Sequence, residues 1–314
     1  MQKIIVLVEN AGKRIDKFLA GEFFLYSRGE IVAKIKEGSV LVGGKKIKPS
    51  YRLEEGNKIE LEDFSHQQRK LLLNEKIKID LIFEDENMLV INKPAGLQVH
   101  PSEYQQADTL TNALLAKYPE LIDVHDDSVE AYLRPGIVHR LDKDTSGVMV
   151  VAKNKKTFEQ LKKLFKDREI TKKYLAIVSG VMESSSGLIQ KSLARSVGFS
   201  KQLIARENTK TKVREAATAY EVLHQYAAHA LLEVTPKTGR MHQIRVHLAS
   251  IGNPIIGDLI YGKKKKALAS EKTAQRQLLH AKNLTFQLDG KSYDFEVKMP
   301  KDFVDFLAKI KEKR

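Results

Sequence analysis

The sequence predicts an α+β fold in two domains. Candidate strands at Tyr174 to Val178, Ala217 to Leu223 and Ala230 to Val234 follow one another with few helices between them, unlike the strict strand–helix alternation of a doubly wound parallel sheet. The first 65 residues carry a separate helix–helix–hairpin pattern. A chain of 314 residues also exceeds the usual size of one domain. The expected architecture is a small αα-β-hairpin domain over 1–65 and a linker over 66–77. A larger domain over 78–314 follows, with a mixed, mainly antiparallel sheet and a central cleft.

In the first domain a strand is expected at Ile4 to Val8, and Ile15, Phe18 and Leu19 then fall at helical spacing. Ser27 and Glu30 make a capping-box pattern for a second helix, whose apolar face continues through Ile31 and Ile35 and which stops at Gly38. Val40 to Val42 lead into Gly43-Gly44, a two-residue turn signal, and another strand follows near Lys58 to Leu61. Polar residues His66 to Lys70, without periodicity, mark the linker.

Beyond it, Ile79 to Phe83 and Met88 to Ile91 flank a turn, Val148 to Ala152 reads as a buried strand, and Thr109 to Lys117 and Lys155 to Lys166 read as helices. A further helix is expected from about Arg240 to Ser250, and Met182 to Lys212 reads as a long insertion between strands. No internal repeat is visible, and the run Lys263 to Lys266 reads as a surface loop.

The composition narrows the chemistry. There is no cysteine, which excludes disulfides, thiolate zinc sites, iron–sulfur clusters and a cysteine nucleophile. Apolar runs such as IIVLV are too short to span a bilayer and no secretory leader is visible, so the expected location is the cytoplasm. A monomer without a membrane partner is the expectation for the whole chain, although charge alone leaves both nucleic acid and an anionic membrane surface open. The 54 Lys and Arg against 40 Asp and Glu give a net charge of +14, which favours a polyanionic partner. Residues 153–215 hold 16 basic against 6 acidic residues, a local field suited to phosphate.

The segment His139 to Gly147, HRLDKDTSG, concentrates charge at the entry to an apolar strand. A loop fixed to the edge of a core is a common way to hold reactive groups. From the residues alone, three readings stay open: a salt-bridged structural turn, a metal site built on His139 and Asp142, and a Ser146 nucleophile. The metal reading lacks a third ligand at diagnostic spacing, and Ser146 lacks the G-x-S-x-G elbow. A metal-dependent nuclease using His139, Asp142 and Asp144, or a non-catalytic RNA-binding or ribosome-assembly factor, would also accommodate these residues.

HRLDKDTSG followed by VMVVAKN closely resembles the signature of the RluA-type RNA pseudouridine synthases. NKPAGLQVHP at Asn92 to Pro101 and KTGRMHQIRVHLASIGNPIIGD at Lys237 to Asp258 are similar to two further motifs of that family, in the same order. One departure is Met241, where threonine is common. The first fifth of the chain, through Arg14, Asp16, Phe18, Leu19, Ser27, Arg28, Val40 and Val42, resembles the S4 RNA-binding domain.

These resemblances imply isomerisation of uridine to pseudouridine in structured RNA, with large-subunit ribosomal RNA the expected substrate and transfer RNA the alternative. No cofactor and no metal are implied. Asp142 would be the catalytic carboxylate, Arg245 its guanidinium partner and Tyr174 the active-site tyrosine, while Val246, Leu278 and Leu279 would line the base pocket. Arg140 would fill the place of a flipped-out base, and His139, Lys143, His100, Arg240 and His242 would contact the flanking RNA backbone. In the S4-like segment, Arg14, Lys17, Arg28, Lys34 and Lys45 are the RNA-facing candidates.

Overall fold

A computed structural model describes all residues except 1, 24, 25, 27, 63, 65–70, 102–105, 127, 129, 130, 197–200, 263–267 and 312–314. The capping role expected of Ser27, the polar linker residues His66 to Lys70 and the Lys263 to Lys266 run lie outside the described residues. The chain forms two compact units, one built on Met1–Leu72 with the short segment His125–Arg134, the other on Leu73–Pro101, Gln106–Val124 and Pro135–Arg314.

The first unit contains β1 (Gln2–Ile5), α1 (Ile15–Glu22), α2 (Arg28–Glu37), β2 (Val40–Val42), β3 (Lys45–Lys46) and β4 (Lys58–Leu61). Its four-stranded antiparallel sheet has the order β1-β4-β2-β3. The apolar helix positions pack together as read: Ile15, Phe18, Leu19, Ile31 and Ile35 share one core with Val40, Val42, Ile59 and Leu61. Gly43 and Gly44 both have positive φ, 55° and 73°, the pairing that lets a two-residue turn match strand twist. Val8 departs from the expected strand, because β1 ends at Ile5 and a 3-10 turn starts at Val8.

The second unit contains β5 (Leu81–Glu84), β6 (Met88–Lys93), α3 (Leu110–Lys117), β7 (Ser146–Ala152), α4 (Lys155–Asp167), β8 (Thr171–Ser179), β9 (Ser186–Gln190), β10 (Leu193–Arg195), β11 (Gln202–Ile204), β12 (Ala217–Gln225), β13 (His229–Pro236), α5 (Gln243–Ser250), β14 (Leu279–Leu288), β15 (Lys291–Glu296) and α6 (Lys301–Lys311). Nine strands form one sheet in the order β5-β6-β7-β14-β8-β13-β12-β9, with β15 added to β14. Only β7 and β14 pair in parallel. The fold is therefore α+β with a mixed, mainly antiparallel sheet.

The insertion Met182 to Lys212 lies between β8 and β12 and carries strands of its own, β9 in the large sheet and β10 and β11 as a separate antiparallel pair. A helix boundary differs from the sequence reading. Helix α5 begins at Gln243 rather than Arg240, because His242 takes a left-handed backbone, φ 54° and ψ 16°, which cannot continue a helix. The C-terminal helix α6 was not expected; Phe303, Phe306 and Leu307 bury its apolar face against Leu175, Ile177 and Leu278.

The parallel junction of β7 and β14 explains the last residue of HRLDKDTSG. Gly147 sits opposite Ala281 with φ 123°, and a Cβ there would lie 2.1 Å from the Ala281 carbonyl oxygen. We expect Gly147→Ala to lower unfolding stability by about 3 kcal/mol or more, because strain and backbone overlap act together. Urea unfolding checks this, and an unchanged midpoint would contradict the packing.

Candidate active site

The loop that leads into β7 is held from outside by two cations. Lys93, fully buried at the end of β6, donates through Nζ to the carbonyls of Pro94 (2.8 Å), Leu97 (2.7 Å) and Lys143 (3.0 Å). Burial drives its pKa down to about 7, against the pull of Asp144 and Asp142. Arg276 donates to the Asp144 carbonyl at 3.0 Å and to Ser146 Oγ at 3.2 Å, while Asp302 of α6 holds its other edge at 2.7 Å. Gln277 Nε2 reaches Thr145 Oγ1 at 3.0 Å, and the Thr145 amide closes the turn on the Asp142 carbonyl. The loop is thus fixed on both sides of Asp142, with little backbone freedom left to its carboxylate.

Helix α5 brings the partner of that carboxylate. Gln243 locks the first turn to β12, donating to Ala217 O and Thr218 Oγ1, and His247, one turn on, meets Thr218 Oγ1 and Lys191 O. Arg245 lies about 200° round the helix from Gln243 and so faces elsewhere. Its Nη1 donates to Asp142 Oδ2 at 2.8 Å, while Nε and Nη2 grip Asp258 at 2.7 and 2.9 Å. Side-chain exposure falls from 20% at Asp142 to 5% at Arg245 and 0% at Asp258, so the arginine bridges an accessible carboxylate to a buried one.

Burial opposes charge on Arg245, but Asp258 and then Asp142 outweigh it and hold the guanidinium protonated, above its ordinary pKa. Burial likewise opposes charge on Asp258, yet Arg245 and the backbone amides of Tyr261 and Ile260 keep its carboxyl below the usual range.

A cleft of about 800 Å³ opens over this pair. It brings together Asp142, Tyr174, Arg245, Leu279, His139, Arg140, Arg240 and His242. Among the described residues, Asp142 is the only acidic side chain lining it, whereas Lys166, Arg168, Lys172, Arg195, Lys237 and Arg240 form its charged walls. Four of those cations come from the basic segment 153–215. Tyr174 sits on β8, and burial, reinforced by the Asp142 charge, raises its pKa well above the ordinary value. In this resting arrangement the hydroxyl keeps its proton and the side chain offers a donor and an aromatic face, not a base.

Several expected positions differ. Val246, about 100° further round α5 than Arg245, packs with Leu193 and Ala216 and does not line the cleft. Leu278, just before β14, and Leu279, its first residue, pack in different cores; Leu278 packs with Phe303 of α6 and, of the two, only Leu279 reaches the cleft. His139 is not placed as a phosphate contact. Its ring stacks on Phe165 at 4.5 Å, its Nε2 accepts from the Val150 amide at 3.1 Å, and burial lowers its pKa to about 3, so it is neutral. Lys143 is exposed and His100 half-buried, and neither lines the cleft, although His100 Nε2 accepts from Arg140 Nη1 at 3.1 Å. Met241 lines it in place of the more common threonine.

In the first unit, Arg14 and Arg28 both donate to the buried Asp16, at 3.0 and 2.7 Å. Burial opposes charge on that carboxylate, and the two guanidinium groups outweigh it and lower its pKa. Lys34 lies 5.4 Å from the Tyr26 ring centre and 5.3 Å from that of Phe64. Lys17 and Lys45 are exposed, and Lys17 borders a shallow pocket with Lys13, Arg14 and Arg52.

Asp258, Lys93 and Arg276 were not singled out from the sequence. Asp258 and Lys93 lie inside the quoted motifs, as the last residue of KTGRMHQIRVHLASIGNPIIGD and the second of NKPAGLQVHP, and an ionisable residue embedded in an apolar run was the available signal. Arg276 has no such marker.

A carboxylate bonded to a buried arginine thus lies in a cleft walled by cations and an aromatic ring, a setting that suits a polyanion. Residues 87–250 match the family model described as RNA pseudouridylate synthase, and residues 13–59 match the S4 domain. An uncharacterized RNA pseudouridine synthase of Aquifex aeolicus is 38% identical over 97% of this chain and 96% of its own length. The ribosomal large subunit pseudouridine synthase D of Pseudomonas aeruginosa is 36% identical over 98% and 94%. A solved structure, human RNA pseudouridylate synthase domain containing 4, aligns with a TM-score of 0.60 at 28% identity, covering 74% of this chain and 93% of that one. The chain belongs to the RNA pseudouridylate synthase family and is an RNA pseudouridine synthase with an amino-terminal S4 domain.

Removing the buried anchor tests the electrostatics. Asp258→Asn should cost about 3 kcal/mol at pH 7, because it leaves Arg245 short of a counter-charge. The folded Asp258 carboxyl lies below its ordinary value of 3.8, so its stabilisation is complete above that value, declines below it and is lost as pH falls through the lower folded-state pKa. The gap between wild type and Asp258→Asn in urea unfolding should therefore narrow below about pH 4; a gap constant from pH 7 to pH 3 would contradict the assignment.

Proposed function

We propose that this enzyme isomerises uridine in large-subunit ribosomal RNA and that Asp142 is its catalytic carboxylate. The observation that carries the second part is that Asp142 is, among the described residues, the one acidic side chain lining a cationic cleft, with Arg245 bonded to its Oδ2. The names borne by relatives such as the Pseudomonas aeruginosa enzyme support the choice of RNA.

Isomerisation breaks the bond between ribose C1′ and uracil N1, turns the base and joins C1′ to C5, whose proton leaves. An ionised carboxylate at C1′ either attacks it or stabilises its developing positive charge, while the bond's electron pair passes to the base. Arg245 aims Asp142 through the Nη1–Oδ2 hydrogen bond. The Tyr174 ring is placed to stack on uracil, with Leu279 as an apolar neighbour. A stacked base cannot reach such a group, so the target nucleotide is flipped into the cleft, and the exposed Arg140 takes its place in the RNA. Arg240 and the other cationic wall residues meet the flanking phosphates. In the S4 domain, Lys17 and Lys45, with Arg14 and Arg28 steadied by Asp16, form the second RNA-facing surface.

Purified enzyme incubated with large-subunit ribosomal RNA should convert a defined set of uridines, and Asp142→Asn should reduce conversion by at least about 10⁴-fold while RNA binding persists. Product formed by the variant at the wild-type rate would remove Asp142 from the chemistry. Site-resolved mapping of cellular RNA with and without the enzyme tests the substrate, and modified positions confined to transfer RNA would overturn that choice.

A further inference from the structure

We propose that His242 is a second catalytic residue, a neutral hydrogen-bond donor whose Nε2–H stabilises the charge gathered on the uracil when it leaves C1′. The inference rests on the reading of Asp142 as the catalytic carboxylate.

His242 occupies a costly position. Left-handed backbone at a residue other than glycine is disfavoured by about 1 kcal/mol or more, and here it serves to place the ring at the mouth of α5, only 14% exposed, beside Asp142. The protonation of the ring follows from a chain of hydrogen bonds. The Gln202 amide on β11 donates to Tyr261 Oη at 2.9 Å, and Tyr261 Oη lies 3.1 Å from His242 Nδ1. The backbone amide takes one lone pair of that hydroxyl and leaves its own proton free to donate to Nδ1, the arrangement the proposal assigns. Burial pushes the Tyr261 hydroxyl up to about 12, which keeps it a donor.

Nδ1 therefore accepts, and the neutral ring carries its proton on Nε2. Burial first, with Arg245 and Arg140 in support, lowers the imidazole pKa against the pull of Asp142 and Asp258. Nε2 stands 3.9 Å from Asp142 Oδ2, too far for a hydrogen bond, and that oxygen already accepts from Arg245 at 2.8 Å. Among the described residues no acceptor lies within hydrogen-bond distance of that N–H, which faces the cleft next to the carboxylate proposed to meet C1′.

The reaction supplies the acceptor. When the C1′–N1 bond breaks, its electron pair spreads over the uracil nitrogens and carbonyl oxygens, and the base must stay close while it turns. A donor held ready for charge that appears only during the reaction lowers the barrier more than it tightens binding. A neutral imidazole suits this task, because it leaves the Arg245–Asp142 pair without a competing cation.

Single-turnover rates and RNA affinities of full-length enzyme separate this from a structural or phosphate-binding role. His242→Ala should slow the saturating rate by about 100-fold with RNA affinity within about threefold of wild type. His242→Gln, whose amide nitrogen can occupy the place of Nε2, should recover to within about tenfold of wild type, and its retained affinity and circular dichroism report folding independently. Tyr261→Phe, which removes only the hydroxyl that fixes the ring, should fall between wild type and His242→Ala. A saturating rate for His242→Ala within threefold of wild type overturns the proposal. So does a defect confined to affinity, which would make His242 a phosphate contact, or a glutamine variant no faster than the alanine one. Activity retained by Asp142→Asn would instead defeat the underlying reading, whatever the His242 variants do.

Discussion

The buried guanidinium of Arg245, shared between Asp142 and Asp258, is the interaction on which the rest of the site depends. A charge at that depth is tolerated only with close, well-oriented partners. Asp258 supplies the fully buried half of the pair and is itself satisfied by two backbone amides, so the arginine cannot swing away. What remains is one N–H pair at Nη1, aimed at the accessible carboxylate. A flexible surface pair would give no fixed direction. Here the geometry comes from helix α5, whose register is pinned to β12 by Gln243 and His247.

The opposing half of the site is a loop whose backbone, more than its side chains, is held. Lys93 takes the carbonyl of Lys143 and Arg276 that of Asp144, while Gly147 lets β7 approach β14 closely enough for the parallel pairing. Asp302 ties Arg276 to α6, so an element remote in sequence supports the Asp142 loop. Positional accuracy of this kind is what the proposed action of one carboxylate on one carbon requires.

Much of this was legible in the sequence where local physics decides. The 3.6-residue spacing of Ile15, Phe18 and Leu19, the turn at Gly43-Gly44, and the apolar run Val148 to Ala152 all appear as elements near their expected limits. Boundaries failed where a side chain or tertiary contact overrode pattern: Val8 left its strand for a 3-10 turn, and His242 delayed α5 by adopting a left-handed backbone. The resemblance to RluA-type enzymes correctly indicated the family, and the fold then joined two of the three motifs in one cleft, while the first, through Lys93, holds the loop from behind. Adjacent residues were harder to sort. Val246 and Leu278 neighbour cleft residues in sequence yet face other cores: helix rotation turns Val246 from Arg245, and Leu278 stands just before β14. Partners such as Asp258 and Arg276 carry no diagnostic spacing, since what they hold is determined by tertiary structure.

The direct test of the bridging role is the single-turnover rate of Arg245→Lys. Lysine preserves the charge but not the planar fork that can grip Asp258 while reaching Asp142. The account predicts a loss of about 100-fold or more in rate with RNA affinity nearly unchanged, because the carboxylate loses its aim and not its substrate. A lysine variant as fast as wild type would show that charge alone suffices, and would contradict the central place given to this geometry.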